Sequence, residues 1–289
     1  MNHTAPTADP ILRVDNLSVG YASHHGTVHA VRDVSFQMGA EKVGIVGESG
    51  SGKSTLGRAL LRILPRSATL QGNIWFHGTD LAQLTEKQLR AYRGARLSMV
   101  LQDPKYSLNP LMRVGEQIAE AYRLHSDASR EQARERALAI LAAVQIRNPA
   151  RVYRSYPHEV SGGMGQRVMI AMMLVAEPEL VVADEITSAL DATVSMQVLA
   201  ILDDLVREKG LGLVFISHDL ELVATFCERI LVMYAGRIVE ECRAGELDQA
   251  RHPYTRGLLE SVPRIDRPRR RLAVLERCPT WTQPTPVAP

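Results

Sequence analysis

The sequence predicts an α/β fold, in which a mostly parallel sheet is covered by helices. Short apolar, β-branched runs at residues 42–47, 180–183 and 213–216 alternate with segments whose apolar residues recur at helical spacing. This alternation is typical of parallel strands joined by helices. Two further apolar runs, at residues 11–21 and 30–38, flank a turn that contains Gly and His. They predict an antiparallel β subdomain near the start of the fold.

The remaining predicted elements rest on the same two patterns, short apolar runs for strands and helical spacing of apolar residues for helices. From about residue 104 to residue 175 the pattern is helical, which predicts an inserted helical subdomain. Residues 131–144 show it best, because their apolar side chains share one helix face: Ala133, Ala137, Ile140, Leu141 and Val144. The other predicted strands are residues 73–76, 97–101 and 230–234, and the other predicted helices are residues 54–64, 194–205 and 220–226.

Composition narrows the classes of function. Of 289 residues, 34 are Lys or Arg and 32 are Asp or Glu, so the formal net charge is +2. This balance argues against a protein that binds nucleic acid by bulk charge, and we expect no nucleic-acid partner. Three cysteines without metal-ligand spacing fit a reducing cytosol. No uninterrupted apolar run reaches the roughly 18 residues of a membrane span, so a role at a membrane requires a separate membrane partner.

Residues 47–54 read G-E-S-G-S-G-K-S and match the pattern G-x-x-x-x-G-K-[ST] at every fixed position. They follow a predicted buried strand and precede a predicted helix, where glycines let backbone N–H groups wrap around phosphate oxygens. We expect Lys53 to reach the β- and γ-phosphates and the Ser54 hydroxyl to bind Mg²⁺. The sequence thus predicts a P-loop NTPase core. The candidate nucleotide-binding residues of this phosphate loop are Gly47, Glu48, Ser49, Gly50, Ser51, Gly52, Lys53, Ser54 and Thr55.

A second candidate site element is the apolar run L-V-V-A at residues 180–183, which ends in two carboxylates, Asp184 and Glu185. A strand of this kind brings its terminal carboxylates to the edge of the sheet beside the phosphate loop. There Asp184 is expected to hold Mg²⁺ and Glu185 to polarise an attacking water.

Four further short motifs occur along the chain. Residues 161–164 read S-G-G-M, Gln102 lies in V-L-Q-D-P, residues 188–191 read S-A-L-D, and His218 lies in I-S-H-D. These match, respectively, the signature, the Q-loop, the D-loop and the switch histidine of the ATP-binding subunits of ABC transporters. Over about residues 11–262 the chain resembles that family. Residues 1–10 are then expected to form a flexible N-terminus and residues 263–289 a short C-terminal extension.

The resemblance implies roles for these residues. Two such subunits face head to tail, and each ATP lies between the phosphate loop of one and the signature of the other. Ser161, Gly162 and Gly163 would therefore act on the partner's ATP. Gln102 would sense the γ-phosphate and bind Mg²⁺, and His218 would orient the γ-phosphate together with Glu185. Tyr21, at the end of the first strand, matches the aromatic residue that stacks on adenine.

A narrower resemblance points to a transport group. The segments S-L-N-P at residues 107–110, Q-R-V-M-I-A at residues 166–171 and H-P-Y-T at residues 252–255 are similar to importers of oligopeptides, dipeptides and nickel. That group implies two transmembrane permeases, a second ATPase subunit, identical or different, and indirectly an extracytoplasmic solute-binding protein. It places the chain peripherally at the cytoplasmic face of the inner or plasma membrane. The solute itself, peptide, nickel or metal chelate, stays open.

Some features depart from the family or leave alternatives open. Ile186 stands where the family usually has Pro, Met164 where it has Gln, and Gly165 where this group often has Arg. None of these removes a phosphate ligand, so we expect ATP hydrolysis to survive. The C-terminal tail has only Cys278, and we predict no iron–sulfur cluster. The alternatives are the ATPase of a two-component ABC exporter and a soluble ABC ATPase of the DNA-repair or translation-associated type.

Overall fold

The computed structural model describes residues 10–23, 26–101, 107–188, 191–261, 278 and 281. The chain divides into two compact units. The first comprises Met1–Gln83 and Val214–Pro289, and the second comprises Leu84–Leu213.

The described elements are numbered in chain order. The strands are β1 (Leu12–Ser23), β2 (Gly26–Met38), β3 (Lys42–Val46), β4 (Ala68–Phe76), β5 (Thr79–Asp80), β6 (Leu97–Val100), β7 (Leu180–Asp184), β8 (Gly212–Ile216), β9 (Arg229–Tyr234) and β10 (Arg237–Arg243). The helices are α1 (Lys53–Leu60), α2 (Glu86–Leu89), α3 (Val114–Arg123), α4 (Arg130–Ala143), α5 (Pro149–Arg154), α6 (Gly162–Leu174), α7 (Ala192–Lys209), α8 (Leu220–Phe226) and α9 (Pro253–Ser261).

The first unit contains a four-stranded sheet in the order β2-β1-β4-β5. Strand β1 pairs antiparallel with both neighbours, with Leu12 opposite Met38 on one side and opposite Phe76 on the other. These three side chains are buried, so one face of the sheet contributes to the core. The predicted antiparallel β subdomain is confirmed, although both predicted strands extend further into the turn than expected.

A second sheet of this unit has the strand order β10-β9-β3-β8. Strand β3 pairs parallel with β9, and β9 pairs antiparallel with β10. Strands β3, β8 and β9 are buried along almost their whole length, which explains why their sequences are continuous apolar runs rather than alternating ones. Strand β10 is half-buried and does not show as a strand in the sequence pattern.

Helix α1 begins at Lys53 and ends four residues before the predicted end. Arg62 takes a left-handed conformation with φ 55°. The Arg62 N–H donates to Ala59 O at 2.9 Å and the Ile63 N–H donates to Arg58 O at 3.0 Å. This is the Schellman pattern that closes a helix, usually with glycine at the left-handed position. Arg62 also donates through Nη1 to Leu81 O at 2.8 Å, so its side chain contributes a contact that glycine lacks.

The second unit combines two parallel strands with most of the helices. Strand β6 pairs with β7, with Val100 opposite Ala183. Helix α4 begins at a capping box formed by Ser129 and Gln132, which satisfies two backbone N–H groups of its first turn. Of the apolar face predicted for residues 131–144, the structure buries Ala133, Ala137, Ile140, Leu141 and Val144. The predicted helical character of this part of the chain is confirmed.

Helix α8 packs closely against β3 at Gly44. A Cβ atom at Gly44 would lie 2.1 Å from Val223 Cγ1 and 3.1 Å from Cys227 Sγ. Burial also raises the pKa of Cys227 to about 12, as expected for a thiol that cannot be solvated when ionised. Since β3 leads directly into the phosphate loop, this contact fixes the strand that presents the loop.

We predict that Gly44→Ala destabilises the protein by about 1–3 kcal/mol, because an added methyl group overpacks the contact with α8. The matched control is Gly245→Ala, where an added Cβ meets no atom within 4 Å. Urea unfolding of the full chain measures both. Equal unfolding midpoints for the two variants would show that the β3–α8 contact has room for a side chain.

A candidate nucleotide site

The phosphate loop lies where the sequence predicts it, between β3 and α1 of the first unit. The Ser51 N–H donates to Glu48 O at 3.1 Å, and the Leu56 N–H donates to Gly52 O at 2.8 Å to begin the helix. The loop therefore turns back on itself before α1 starts. The first N–H groups of α1 have no partner within the helix, which makes this end suitable for an anion.

Two glycines allow the loop to approach neighbouring strands closely. A Cβ at Gly47 would lie 2.2 Å from Met233 O of β9, and a Cβ at Gly52 would lie 2.2 Å from Ala30 O of β2. Both residues have positive φ angles, 151° and 103°. The loop is also held by Gly236, whose N–H donates to Ser51 O at 2.9 Å. Only glycine fits at Gly47 and Gly52 without moving a strand.

The Lys53 side chain is buried, with 5% exposure. Its Nζ donates to Gly47 O at 2.7 Å and to Glu48 O at 2.9 Å, so the ammonium is held at the mouth of the loop by the loop's own carbonyl groups. Ser51 Oγ is also buried and has no hydrogen-bond partner among the described residues. A buried ammonium in the same loop as an unsatisfied buried hydroxyl fits a phosphate-bearing ligand.

His218 belongs to the same unit as the phosphate loop. It follows β8, and the Ser217 N–H donates to Ile45 O at 3.2 Å, so β8 and β3 end side by side. His218 is exposed, whereas Ser217 before it is buried. Asp219, which follows His218, caps α8, because its Oδ1 accepts from the Leu222 N–H at 3.0 Å. Tyr21 is half-buried and lies near the end of β1, opposite Val28 of β2.

In the second unit, β7 ends at Asp184, which is 5% exposed. Glu185 follows with a left-handed φ of 49°, an uncommon conformation for a residue with a side chain. The turn is stabilised by Ser188, whose Oγ donates to Glu185 O at 2.9 Å. Ile186, the departure from the usual proline, is buried, so this position is filled by apolar packing. Residues at sparsely populated backbone angles cluster at functional sites.

The signature residues form the start of α6. Ser161 is the N-cap, and its Oγ accepts from the Met164 N–H at 3.4 Å. Ser161 and Gly162 are exposed, whereas a Cβ at Gly163 would lie 2.9 Å from Val194 Cγ1 of α7. The exposed helix start leaves backbone N–H groups open to a ligand from outside the chain.

A cavity of about 440 Å³ adjoins these residues within the second unit. Besides Ser161, Gly163 and Met164 it is lined by three arginines, Arg147, Arg151 and Arg167. Sequence reasoning missed these arginines, since their spacing matches no motif. The Arg167 Nη1 donates to Gln145 O at 3.0 Å, which orients one guanidinium beside the signature.

Some predicted residues lie outside the described part of the chain. Gln102 is one of them, together with the two central residues of the D-loop, Ala189 and Leu190. The described D-loop residue Asp191 caps α7, because its Oδ1 accepts from the Val194 N–H at 2.9 Å. In the described ranges, no helix combines the length and the apolar character needed to cross a bilayer.

Comparison with known proteins identifies the family. The model of the ABC transporter family matches residues 31–188. A probable peptide ABC transporter ATP-binding protein of Sinorhizobium fredii is 46% identical over 278 residues, which cover 95% of this chain and 82% of the relative. The chain belongs to the ABC transporter family of ATP-binding proteins. The family, the α/β fold and the ATPase activity predicted from the sequence are thereby confirmed, and the chain is an ATP-binding, ATP-hydrolysing cassette.

Two further matches extend this identification. The oligopeptide transport ATP-binding protein OppD of Salmonella typhimurium is 45% identical over 261 residues, covering 90% of this chain and 78% of the relative. The dimeric structure of an ATP-binding cassette bound to ADP and Pi has a TM-score of 0.73 and 27% identity, covering 81% of this chain and 98% of that one. A second family model, for the C-terminal region of oligopeptide/dipeptide transporters, matches residues 239–283 of this cassette.

We predict that Gly52→Ala destabilises the nucleotide-free cassette more than Gly50→Ala. Both residues have positive φ angles, which costs an alanine about 1–2 kcal/mol. Only at Gly52 would the new methyl group meet a backbone carbonyl, and that overlap adds about 1–3 kcal/mol. Urea unfolding without nucleotide compares them, and similar losses for both would mean that the loop does not depend on its approach to Ala30.

Proposed function

We propose that this cassette drives an importer of peptides or a related small solute. The observation that supports it is the joint similarity to a probable peptide transporter ATPase and to an oligopeptide transporter ATPase, at 46% and 45% identity. The match to the oligopeptide/dipeptide transporter C-terminal region at residues 239–283 supports the same group. A solute such as nickel or a metal chelate is compatible with the motifs but has no support among these similarities.

For the chemistry we propose the roles that the sequence indicates. The phosphate loop, residues 47–55, binds the ATP phosphates, with Lys53 on the β- and γ-phosphates and Tyr21 stacked on adenine. Glu185 polarises the water that attacks the γ-phosphate, and His218 orients that phosphate. The partial exposure of Glu185 and the exposure of His218 support these roles, because both side chains can be reached by solvent.

Magnesium fits the donor set. Ser54 offers a hydroxyl, Asp184 a carboxylate and Gln102 an amide oxygen, which are the hard oxygen ligands that Mg²⁺ prefers. When bound, Mg²⁺ would neutralise charge on the β- and γ-phosphates. Ser54 lies in the first turn of α1 and Asp184 at the end of β7.

We propose that two cassettes, identical or different, act head to tail. Ser161, Gly162 and Gly163 would bind the γ-phosphate of the ATP held by the partner subunit. The exposed start of α6 and the adjoining cavity with its three arginines support this, because both favour an anion from outside the chain. Two transmembrane permeases and an extracytoplasmic solute-binding protein would complete the transporter. The cassette would then act peripherally at the cytoplasmic face of the membrane.

Replacing Glu185 by Gln is expected to lower ATP turnover by about 10²–10⁴-fold, because the amide cannot accept a proton from the attacking water. ATP binding should persist, and ATP should shift the full chain toward a dimer in size-exclusion chromatography. The control Glu208→Gln changes an exposed glutamate of α7 and should match the wild type. Normal turnover in Glu185→Gln would assign the catalytic base elsewhere. A monomer with bound ATP would argue against the head-to-tail dimer.

The solute is tested in the assembled transporter. The cassette is coexpressed with the permeases and solute-binding protein encoded by neighbouring reading frames, and ATPase activity is measured in proteoliposomes. Short peptides, delivered with the binding protein, are expected to stimulate hydrolysis, and Ni²⁺ is not. Stimulation by Ni²⁺ alone would replace the peptide assignment by a metal one, and Lys53→Ala should abolish the stimulation in either case.

A further inference from the structure

A tyrosine from the C-terminal part of the first unit contacts the phosphate loop. Tyr254 lies in the first turn of α9 and is fully buried. Its hydroxyl accepts a hydrogen bond from the Glu48 N–H at 2.9 Å, across 206 residues of sequence. The function proposed above leaves this contact without a role.

The contact continues to the phosphate lysine through a single peptide group. The Glu48 N–H, which donates to the Tyr254 hydroxyl, belongs to the same peptide group as the Gly47 carbonyl, which accepts from Lys53 Nζ at 2.7 Å. The next carbonyl along the chain, that of Glu48, accepts from Lys53 Nζ at 2.9 Å and from the Ser51 N–H at 3.1 Å. The orientation of the Gly47–Glu48 peptide plane therefore affects an acceptor of the ammonium. A peptide plane is rigid, so fixing its N–H also fixes the direction of its carbonyl.

Tyr254 is itself held from several sides. Its ring lies 4.5 Å from that of Tyr234 and 5.9 Å from that of Trp281, which is the range of favourable aromatic pairs. At the start of α9, Glu240 Oε1 of β10 accepts from the Arg251 N–H at 2.6 Å. Packing around the ring therefore holds the Tyr254 hydroxyl in place.

His252 adds a further constraint. Burial lowers the pKa of His252, against the opposing effect of Glu240, and this favours the neutral ring. In the neutral ring Nδ1 can act as an acceptor, and it receives the Tyr254 N–H at 3.2 Å. The H-P-Y-T segment therefore supplies both the tyrosine and a neighbour that orients its backbone.

We propose that Tyr254 is a positioning residue for the phosphate loop, acting on ATP through the Gly47–Glu48 peptide and Lys53. The proposal rests on the function assigned above to the loop. It extends that function to the C-terminal segment that matches the oligopeptide/dipeptide transporter model. Removing the hydroxyl leaves the ring in place and releases the Glu48 N–H, so the lysine loses one fixed acceptor and the loop becomes less well prepared for phosphate.

The test is Tyr254→Phe in the assembled transporter. One hydrogen bond between neutral groups corresponds to about a 2- to 12-fold change in affinity. We expect the KM for ATP to rise by about that factor while kcat stays within about 2-fold, because no reacting atom is touched. The matched control is Tyr234→Phe, which removes a hydroxyl from the adjoining ring without affecting Glu48.

An unchanged KM in Tyr254→Phe, or an equal rise in Tyr234→Phe, would overturn the proposal. A purely structural role would lower the unfolding midpoint of the nucleotide-free chain and leave the KM for ATP unchanged. Failure of the proposed function is distinguishable, because Lys53→Ala would then bind and hydrolyse ATP as the wild type does.

Discussion

The buried ammonium group of Lys53 constrains much of the first unit. A charge with 5% exposure requires hydrogen-bond acceptors close by, since an unpaired buried charge is strongly unfavourable. The loop meets this requirement with its own carbonyl groups at Gly47 and Glu48. Those carbonyls can point inward only if the chain turns tightly against β2 and β9, and this explains the glycines at Gly47 and Gly52.

The parts of this arrangement that depend on local chemistry could be predicted from the sequence. The glycine spacing of the phosphate loop, the buried runs of β3 and β7 and the apolar face of α4 each leave a periodic or fixed pattern. Element ends were predicted less well. Helix α1 ends at Leu60 because Arg62 accepts a left-handed conformation, and nothing in that residue type indicates a helix end.

Contacts between segments that lie far apart in the sequence could not be predicted from it. The three arginines around the signature come from the region before α5, from α5 itself and from α6, and only the fold brings them to one cavity. The left-handed φ of Glu185 is similarly unpredictable, because the tertiary environment imposes it. The motif H-P-Y-T identified a transport group but gave no indication that its tyrosine reaches the phosphate loop.

Tyr254 and the phosphate loop each contain a polar group that needs a hydrogen-bond partner. The hydroxyl of a fully buried Tyr254 needs a hydrogen-bond partner, and so does the N–H of Glu48. Each satisfies the other, so this hydrogen bond links α9 to the loop. The remaining supports of α9, Glu240 and the rings of Tyr234 and Trp281, hold this hydroxyl in place. A substitution in the C-terminal segment that moves Tyr254 would therefore alter the hydrogen-bond acceptors of Lys53, although the substituted residue makes no contact with nucleotide.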